Sequence, residues 1–503
     1  MEDIFGALAI GLSTIFTAKV LVWTMVGIVS GMFFGLVPGL SGLTGMGLLL
    51  PFAIGQPPEV AFSFLLGMYA VTTQTDAIPA VLLGIPGTSA AQATYLDGYP
   101  MAKRGEAGRA LSASYFASIV GTIVFSVIFL VLLPVIRPVI NSFGSPEFFM
   151  LAMMGLVMSG SLVGPNIARG LMVAAAGLLI SCIGVAGATG DYRYTLGWSY
   201  LEDGLPLVPV ALGLFAVPEV MELMASRTSI ARDFAVKGGA LEGLRDTIRH
   251  RWLVVRCSVI GGVCGVVPGL GGSAAEWLGY SHAVQSARDS SQFGKGDIRG
   301  VLAAESATTA QKPGAIIPTV ALGIPGNASM AVMLGVFLIV GLRPGSAMLN
   351  EQLPLTFQML WTVILANIVV ALICLVLQRH IVKLCQVRAS VIAPLIITFM
   401  AIGATFASNS YNDLIAFAVF GALGLFMKAY DWPRVPLLIG MVLGQLAEAN
   451  FFISVQVYGA SWLWQRPIVL ATLGLTLAFL AAMVLRGRRD RAMRAQQAGG
   501  GNA

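Results

Sequence analysis

Two sequence blocks recur in this chain, in the same order and at similar spacing. GLVPGLSG at 35–42 returns as GVVPGLGG at 265–272, and AIPAVLLGIPG at 77–87 returns as IIPTVALGIPG at 316–326. Six of eight positions match in the first pair and eight of eleven in the second. Pro38 lies 41 residues before Pro79, and Pro268 lies 50 before Pro318. We read an internal duplication, each half carrying two apolar segments broken by glycine and proline. Proline removes a backbone donor, and glycine tolerates conformations that other residues avoid. The breaks are therefore real interruptions of helix.

The solvent decides what such interruptions mean. The chain is 57% hydrophobic and only 11% charged, with a mean hydropathy of +0.83. Soluble proteins are roughly 25% charged, so this is read as a polytopic membrane protein. Irregular backbone at membrane depth survives only beside protein or a wet cavity. A broken helix exposes N–H groups at one new end, which attract anions, and carbonyls at the other, which attract cations. Matched broken segments in two halves point to the binding site of a secondary transporter. The plainer alternative is the general abundance of Gly and Pro in membrane helices, which four matched blocks make a poor explanation.

The expected fold is all-α, with about 10–12 transmembrane helices plus re-entrant or broken helices in two inverted-topology repeats. The first half is placed at 1–224, with broken segments near 35–55 and 60–100. A hydrophilic cytoplasmic linker follows at 225–251. The second half is placed at 252–486, broken near 265–281 and 301–345, and 487–503 is a basic, then disordered, tail. The start MEDIFGALAIG has no basic n-region and is expected to be retained. The five cysteines show no CxxC spacing and are expected to be free thiols. With the tail RGRRDRAMR inside, 23 of the 30 Lys and Arg fall on the cytoplasmic side, as the positive-inside rule requires. The link between blocks is short and acidic in the first half (FAIGQPPEVAF) and basic in the second (HAVQSARDSSQFGKGDIRG), as inverted repeats predict.

The run LLGIPGTSAAQATYLDGYPMAKRGEAGRAL at 82–111, with GLVPGLSG, GVVPGLGG and LGIPGNASMAVMLGVFLIVGLRPG, resembles the large membrane subunit of the bacterial tripartite tricarboxylate transporters. The resemblance covers essentially the whole chain. It implies a bacterial inner-membrane permease with a small four-helix membrane subunit and a periplasmic solute-binding protein as partners. It also implies uptake of a citrate-like or other organic anion, driven by sodium or protons. No cofactor is expected beyond Na⁺ as a coupling ion. Two positions depart from the pattern: Asp76 and Lys312 stand where neutral residues are expected.

Candidate residues follow from the breaks. Gly87, Thr88 and Ser89 after the first GIPG, and Gly326, Asn327 and Ser329 after the second, offer N–H groups, hydroxyls and an amide to a carboxylate. Their alternative role is helix capping. Pro38, Gly39 and Ser41, with Pro268, Gly269 and Ser273, offer carbonyls and hydroxyls to a hard cation; small residues there also allow close helix packing. Gln74, Asp76 and Glu276 are further cation or proton candidates. Lys312 is a candidate to attract the anionic substrate or to pair with Glu305 or Asp76; the alternative for Glu305 and Lys312 is solvation in the cytoplasmic approach. A charge at mid-bilayer costs roughly 2.5–3.5 kcal/mol on insertion scales, so such residues face a cavity or a partner. The alternatives are a membrane-embedded enzyme and an ATP-driven permease. The sequence has no HExxH, GxSxG or GxxxxGK[ST], and no second aspartate placed to act with Asp76. No catalytic residue is assigned.

Overall fold

A computed structural model describes residues 2–37, 40–84, 88–162, 167–187, 189–225, 239–384, 389–405, 410–481 and 483. They are almost entirely helical, as expected of a membrane protein whose backbone must satisfy itself. Five helices are long and apolar enough to cross a membrane, and seven shorter apolar helices accompany them among the described residues.

The first duplicated stretch follows α1 (Glu2–Ile15). It comprises α2 (Ala18–Leu36), α3 (Gly42–Ala53), α4 (Pro58–Leu83), α5 (Gln92–Lys103) and α6 (Ala107–Asn141). Then come α7 (Ser145–Leu162) and α8 (Ile167–Ser181), a ribbon pairing Gly184–Val185 with Tyr192–Arg193, α9 (Leu207–Ala211), a π turn at Leu212–Ala216, and α10 (Val217–Ala225). The second stretch follows α11 (Ala240–Arg249). It comprises α12 (Arg251–Val266), α13 (Gly271–Ser286), α14 (Ile298–Leu322), α15 (Ala328–Ile339), α16 (Ser346–Leu349) and α17 (Leu353–Leu384). The chain closes with α18 (Ala389–Thr405), α19 (Asn412–Ala429), α20 (Val435–Tyr458) and α21 (Trp462–Gln465). A further apolar helix spans Pro467–Ala481.

Lengths separate two kinds of helix. At 1.5 Å per residue, the 26 residues of α4 and 25 of α14 reach roughly 38 Å, beyond the ~30 Å of a hydrocarbon core. The 12-residue α3, α5 and α15 reach only about 18 Å. They follow the VPG and GIPG breaks and are too short to cross a hydrocarbon core.

The duplication is visible in packing. Helix α2 lies on α4 as α12 lies on α14, and α17 meets α4 as α6 meets α14. The same glycines make both crossings. A Cβ on Gly31 would meet the Met68 carbonyl, and one on Gly261 the Ala307 carbonyl. One turn on, Gly35 faces the Thr72 carbonyl and Gly265 the Gln311 carbonyl. Each pair keeps the spacing of its repeat, so two G-x-x-x-G faces bring backbones together.

By contact the chain groups into two units. The first, Met1–Asn141 with Pro206–Phe426, contains both duplicated stretches from α2 to α6 and from α12 to α17. The second, Ser142–Leu205 with Met427–Ala503, packs α20 against α7 and α8. There the buried Glu147 carboxylate is held by Arg466 at 2.8 Å. A cavity of about 490 Å³ in this unit is lined by Glu202, Asp203, Gln445, Glu448 and Phe452, among others. It contains none of the residues nominated from the sequence.

The stretch expected as a linker holds more structure than a solvated connection needs. Residues 226–238 lie outside the described residues, but α11 packs on α6, with Gly243 against Ser112 and Ala113. The basic tail also lies outside the described residues.

Candidate functional site

Helices α4 and α14 are buried along nearly their whole length, although both carry many polar residues. Each ends on a glycine with positive φ, Gly84 at 71° and Gly323 at 68°, whose N–H returns to the carbonyl of Pro79 or Pro318. Each helix also has prolines inside it: Pro79 in α4, and Pro313 and Pro318 in α14. A proline has no N–H for the carbonyl four residues earlier. The carbonyls of Thr75, Thr309 and Gly314 therefore lose their helical partners inside the protein.

Beyond the first GIPG, Thr88 caps the turn Ser89–Ala91, accepting from Ala90 N at 3.1 Å. Its hydroxyl also donates to Asp76 Oδ2 at 2.5 Å, tying the tip back to α4. Gly87, and likewise Pro38 and Gly39, lie outside the described residues, as does the side chain of Ser89. Beyond the second GIPG, Asn327 caps α15, accepting from Met330 N at 2.9 Å. Its amide nitrogen donates to the Tyr69 hydroxyl on α4 at 2.8 Å. Capping and reaching into the site are thus the same act for Thr88 and Asn327. Ser329 and Ser273 are half-buried in the first turns of α15 and α13.

The VPG breaks adjoin these tips. Gly269 N–H donates to the Gly326 carbonyl at 3.1 Å, joining the two breaks of the second half. Pro268 is buried beside them. Gly272 abuts the other half instead: a Cβ there would lie 3.5 Å from Ala90. In the same sense α3 packs on α15, and α13 on α5 and the Ser89–Ala91 turn. The elements that follow the breaks in the two halves therefore meet crosswise.

Charges follow the same cross. Glu276 on α13 is fully buried, and its Oε1 accepts from Ala93 N at 2.9 Å and Thr94 N at 3.0 Å, capping α5 of the other half. Glu305 on α14 accepts from Thr94 Oγ1 at 2.6 Å and Ser118 Oγ at 3.4 Å. Lys312, 1% exposed, donates to the Ala70 carbonyl of α4 and lies 5.4 Å from the Tyr69 ring centroid. Glu305 and Lys312 are thus core residues, not a solvated approach. Asp76 interacts electrostatically with both, and Glu276 with Asp76 and Glu305.

Several buried atoms here have no protein partner. They are both ends of the Gln74 amide, Thr73 Oγ1, Asp76 Oδ1, Glu276 Oε2 and Gln311 Nε2. Gln74 and Asp76 are 0% exposed. Leaving such a group unmade costs about 1–3 kcal/mol, so a native interior seldom gathers several without a use for them. The arrangement can receive polar or charged matter: anions at N–H groups and the ammonium, cations at carboxylates and freed carbonyls.

Two features escaped the sequence reading. Glu219 on α10 accepts from Ser41 N at 3.0 Å and from the Thr44 hydroxyl, so a carboxylate holds the start of α3. Ser41 itself caps that helix. An acid following proline within an apolar stretch, LFAVPEVMEL, was the available signal. Second, the signature run acts as a clamp. Asp97 accepts from Gly296 N at 2.8 Å, Asp297 N at 2.9 Å and Tyr280 Oη at 3.0 Å. Arg104 binds the carbonyls of Lys295 and Gly296 at 2.8 and 2.6 Å, and Arg109 pairs with Asp246 of α11 at 2.6 Å.

Comparison with known proteins agrees with this architecture. A protein of Agrobacterium vitis, named as an uncharacterized 52.8 kDa protein in the TAR-I ttuC' 3'region, is 30% identical over 452 residues, covering 90% of each chain. A second from the same organism, named for the TAR-II ttuC' 3'region, is 30% identical over 235 residues, 46% of this chain and 97% of that protein. No solved structure matches. The model of the tripartite tricarboxylate transporter TctA family matches residues 21–439, which include both duplicated stretches and the whole crossed site, and the chain therefore belongs to that family.

Proposed function

We propose that this chain is the permease subunit of a binding-protein-dependent secondary transporter that takes up a di- or tricarboxylate together with a cation. The observation that carries the reading is the set of desolvated, unpartnered polar groups around Gln74 and Asp76, where both long core helices break. A polar ligand would supply the missing partners. Thr88, Asn327 and the N–H groups of the tips, with Ser89, Ser329, Gly87 and Gly326, contact the carboxylate. Asp76, Gln74, Glu276 and the carbonyls near Pro38, Gly39, Pro268 and Gly269, with Ser41 and Ser273, serve the coupling ion. The two halves are inverted repeats, and alternating access is movement of a repeat-containing unit around the site.

Charge supports the cation. Asp76, Glu276 and Glu305 outnumber Lys312, leaving a net charge of about −2 if all ionise. A dicarboxylate at ~7 Å would then meet roughly 10 kcal/mol of repulsion at an effective dielectric of about 20. Co-bound sodium or protons remove that penalty, and this ties anion uptake to the cation gradient. A small four-helix membrane subunit and a periplasmic solute-binding protein complete the system in the bacterial inner membrane, with the C-terminus cytoplasmic.

The test is uptake into proteoliposomes containing this chain and its small partner. Labelled di- and tricarboxylates are delivered on the cognate binding protein, with and without an inward sodium or proton gradient. Gradient-dependent accumulation of one acid, lost in Asp76→Asn, is expected. No uptake from any loaded binding protein, in sealed vesicles of the right orientation, would overturn the proposal.

A further inference from the structure

We infer that the Lys312 ammonium is a tethered cation, standing beside Asp76 and Glu305 where a free sodium ion would otherwise bind; the inference rests on the transport reading above. Three observations lead to it. Lys312 is 1% exposed, yet its ammonium donates to a main-chain carbonyl, that of Ala70, and not to a carboxylate. The ammonium also lies 5.4 Å from the centroid of the Tyr69 ring. Carbonyl and ring face are ligands for a cation in general, and the two nearby acids attract it without a direct ion pair.

The internal duplication supplies the comparison. In the register that superposes Pro79 on Pro318, Lys312 corresponds to Thr73 and Gln311 to Thr72. The glycine contacts confirm this register, since Gly35 faces Thr72 and Gly265 faces Gln311. One half thus offers a hydroxyl with no partner, an oxygen that a hard ion can use. The other half offers the positive charge itself, on a four-carbon stem. Both positions lie one or two turns before the helix-breaking proline, among carbonyls the prolines have freed. The functional consequence is that Asp76 and Glu305 are met by the tethered ammonium and not by sodium, so that the coupling ion carried at Asp76 is a proton.

The experiment reads ion binding, not uptake, so it stands apart from the proteoliposome result. Thermal unfolding of the purified full chain is followed while NaCl replaces choline chloride at constant ionic strength. Lys312→Thr, which installs the residue of the other half, should show a sodium-dependent rise in melting temperature larger than that of the native chain. Lys312→Met, similar in volume but without charge or oxygen, should gain none. Asp76→Asn in the native background should leave the response to sodium unchanged. No gain in Lys312→Thr would overturn the inference. If that variant fails to fold, Asp76→Asn decides: loss of a sodium response present in the native chain would show a free ion already at this carboxylate.

Discussion

The crossed architecture makes Glu276 the residue whose removal should be felt farthest from itself in sequence. Its Oε1 accepts two N–H groups at the start of α5, 2.9 and 3.0 Å away. Those donors have no partner within α5, because the first N–H groups of any helix are free. Glu276→Ala strands both inside the protein, at about 1–3 kcal/mol each, so local opening of α5 becomes easier by about 2–6 kcal/mol. At 1.4 kcal/mol per factor of ten, amide exchange at Ala93 and Thr94 should accelerate by roughly 30-fold to 10⁴-fold. Glu276→Gln keeps an acceptor oxygen but loses the charge. Charge-assisted bonds are about twice as strong as neutral ones, so the loss is about 1–3 kcal/mol, or roughly 5- to 150-fold. Hydrogen exchange read by mass spectrometry over 90–96 separates these cases, with α20 peptides as an internal control. Unchanged protection at 90–96 in Glu276→Ala would refute the capping role. A Gln variant exchanging as fast as the Ala variant would show that charge, not hydrogen bonding, holds the helix.

Other substitutions test the remaining contacts. Asp97→Ala removes three hydrogen bonds to one carboxylate and should lower the melting temperature sharply, while Asp97→Asn, which keeps an acceptor for Gly296 and Asp297, should be milder. Gly31→Ala and Gly261→Ala each push a methyl into a partner-helix carbonyl; both should destabilise by about 1–3 kcal/mol, and by similar amounts, as read by thermal unfolding. Burial pushes the Asp297 carboxyl up, but hydrogen bonds from the Arg299 guanidinium and N–H outweigh it and leave the carboxyl below its ordinary value. A depressed carboxyl stabilises the fold above its unfolded pKa of ~3.9, and that gain is lost as pH falls through the lower folded value. The melting-temperature gap between native and Asp297→Asn should therefore be flat from neutral pH to about pH 5 and close below about pH 4.

Helix positions were legible because they rest on local signals. Apolar length set the spans, and GIPG and VPG set the breaks, as the shared glycine caps at 84 and 323 bear out. Asp76 and Glu276 were legible as charges too costly to bury idly. What the chain order could not reveal was which break meets which. Glu276 and Ala93 are 183 positions apart, and Ser41 and Glu219 are 178 apart. Periodicity carries no information about such pairs. Lys312 was ambiguous for a related reason: LAAESATTAQKPG has the composition of a wet approach, and only packing on four sides, by α12, α13, α6 and α4, makes it core.

The duplication also separates framework from chemistry. Glycine contacts, proline breaks and αL caps recur in both halves, so they serve the frame. The charges do not recur. In the registers of the two blocks, Asp76 corresponds to Ala315, Lys312 to Thr73, Glu305 to Leu66 and Glu276 to Met46. A neutral residue satisfies the fold at each mate position, so folding alone does not call for any of these four charges. Burying them is unfavourable unless paired or used, yet all four are 3% exposed or less. A symmetric scaffold with an asymmetric set of charges has a single site with a definite polarity, and not two equivalent ones. Such a site can distinguish an anion from a cation even though the helices that frame it are copies of one another.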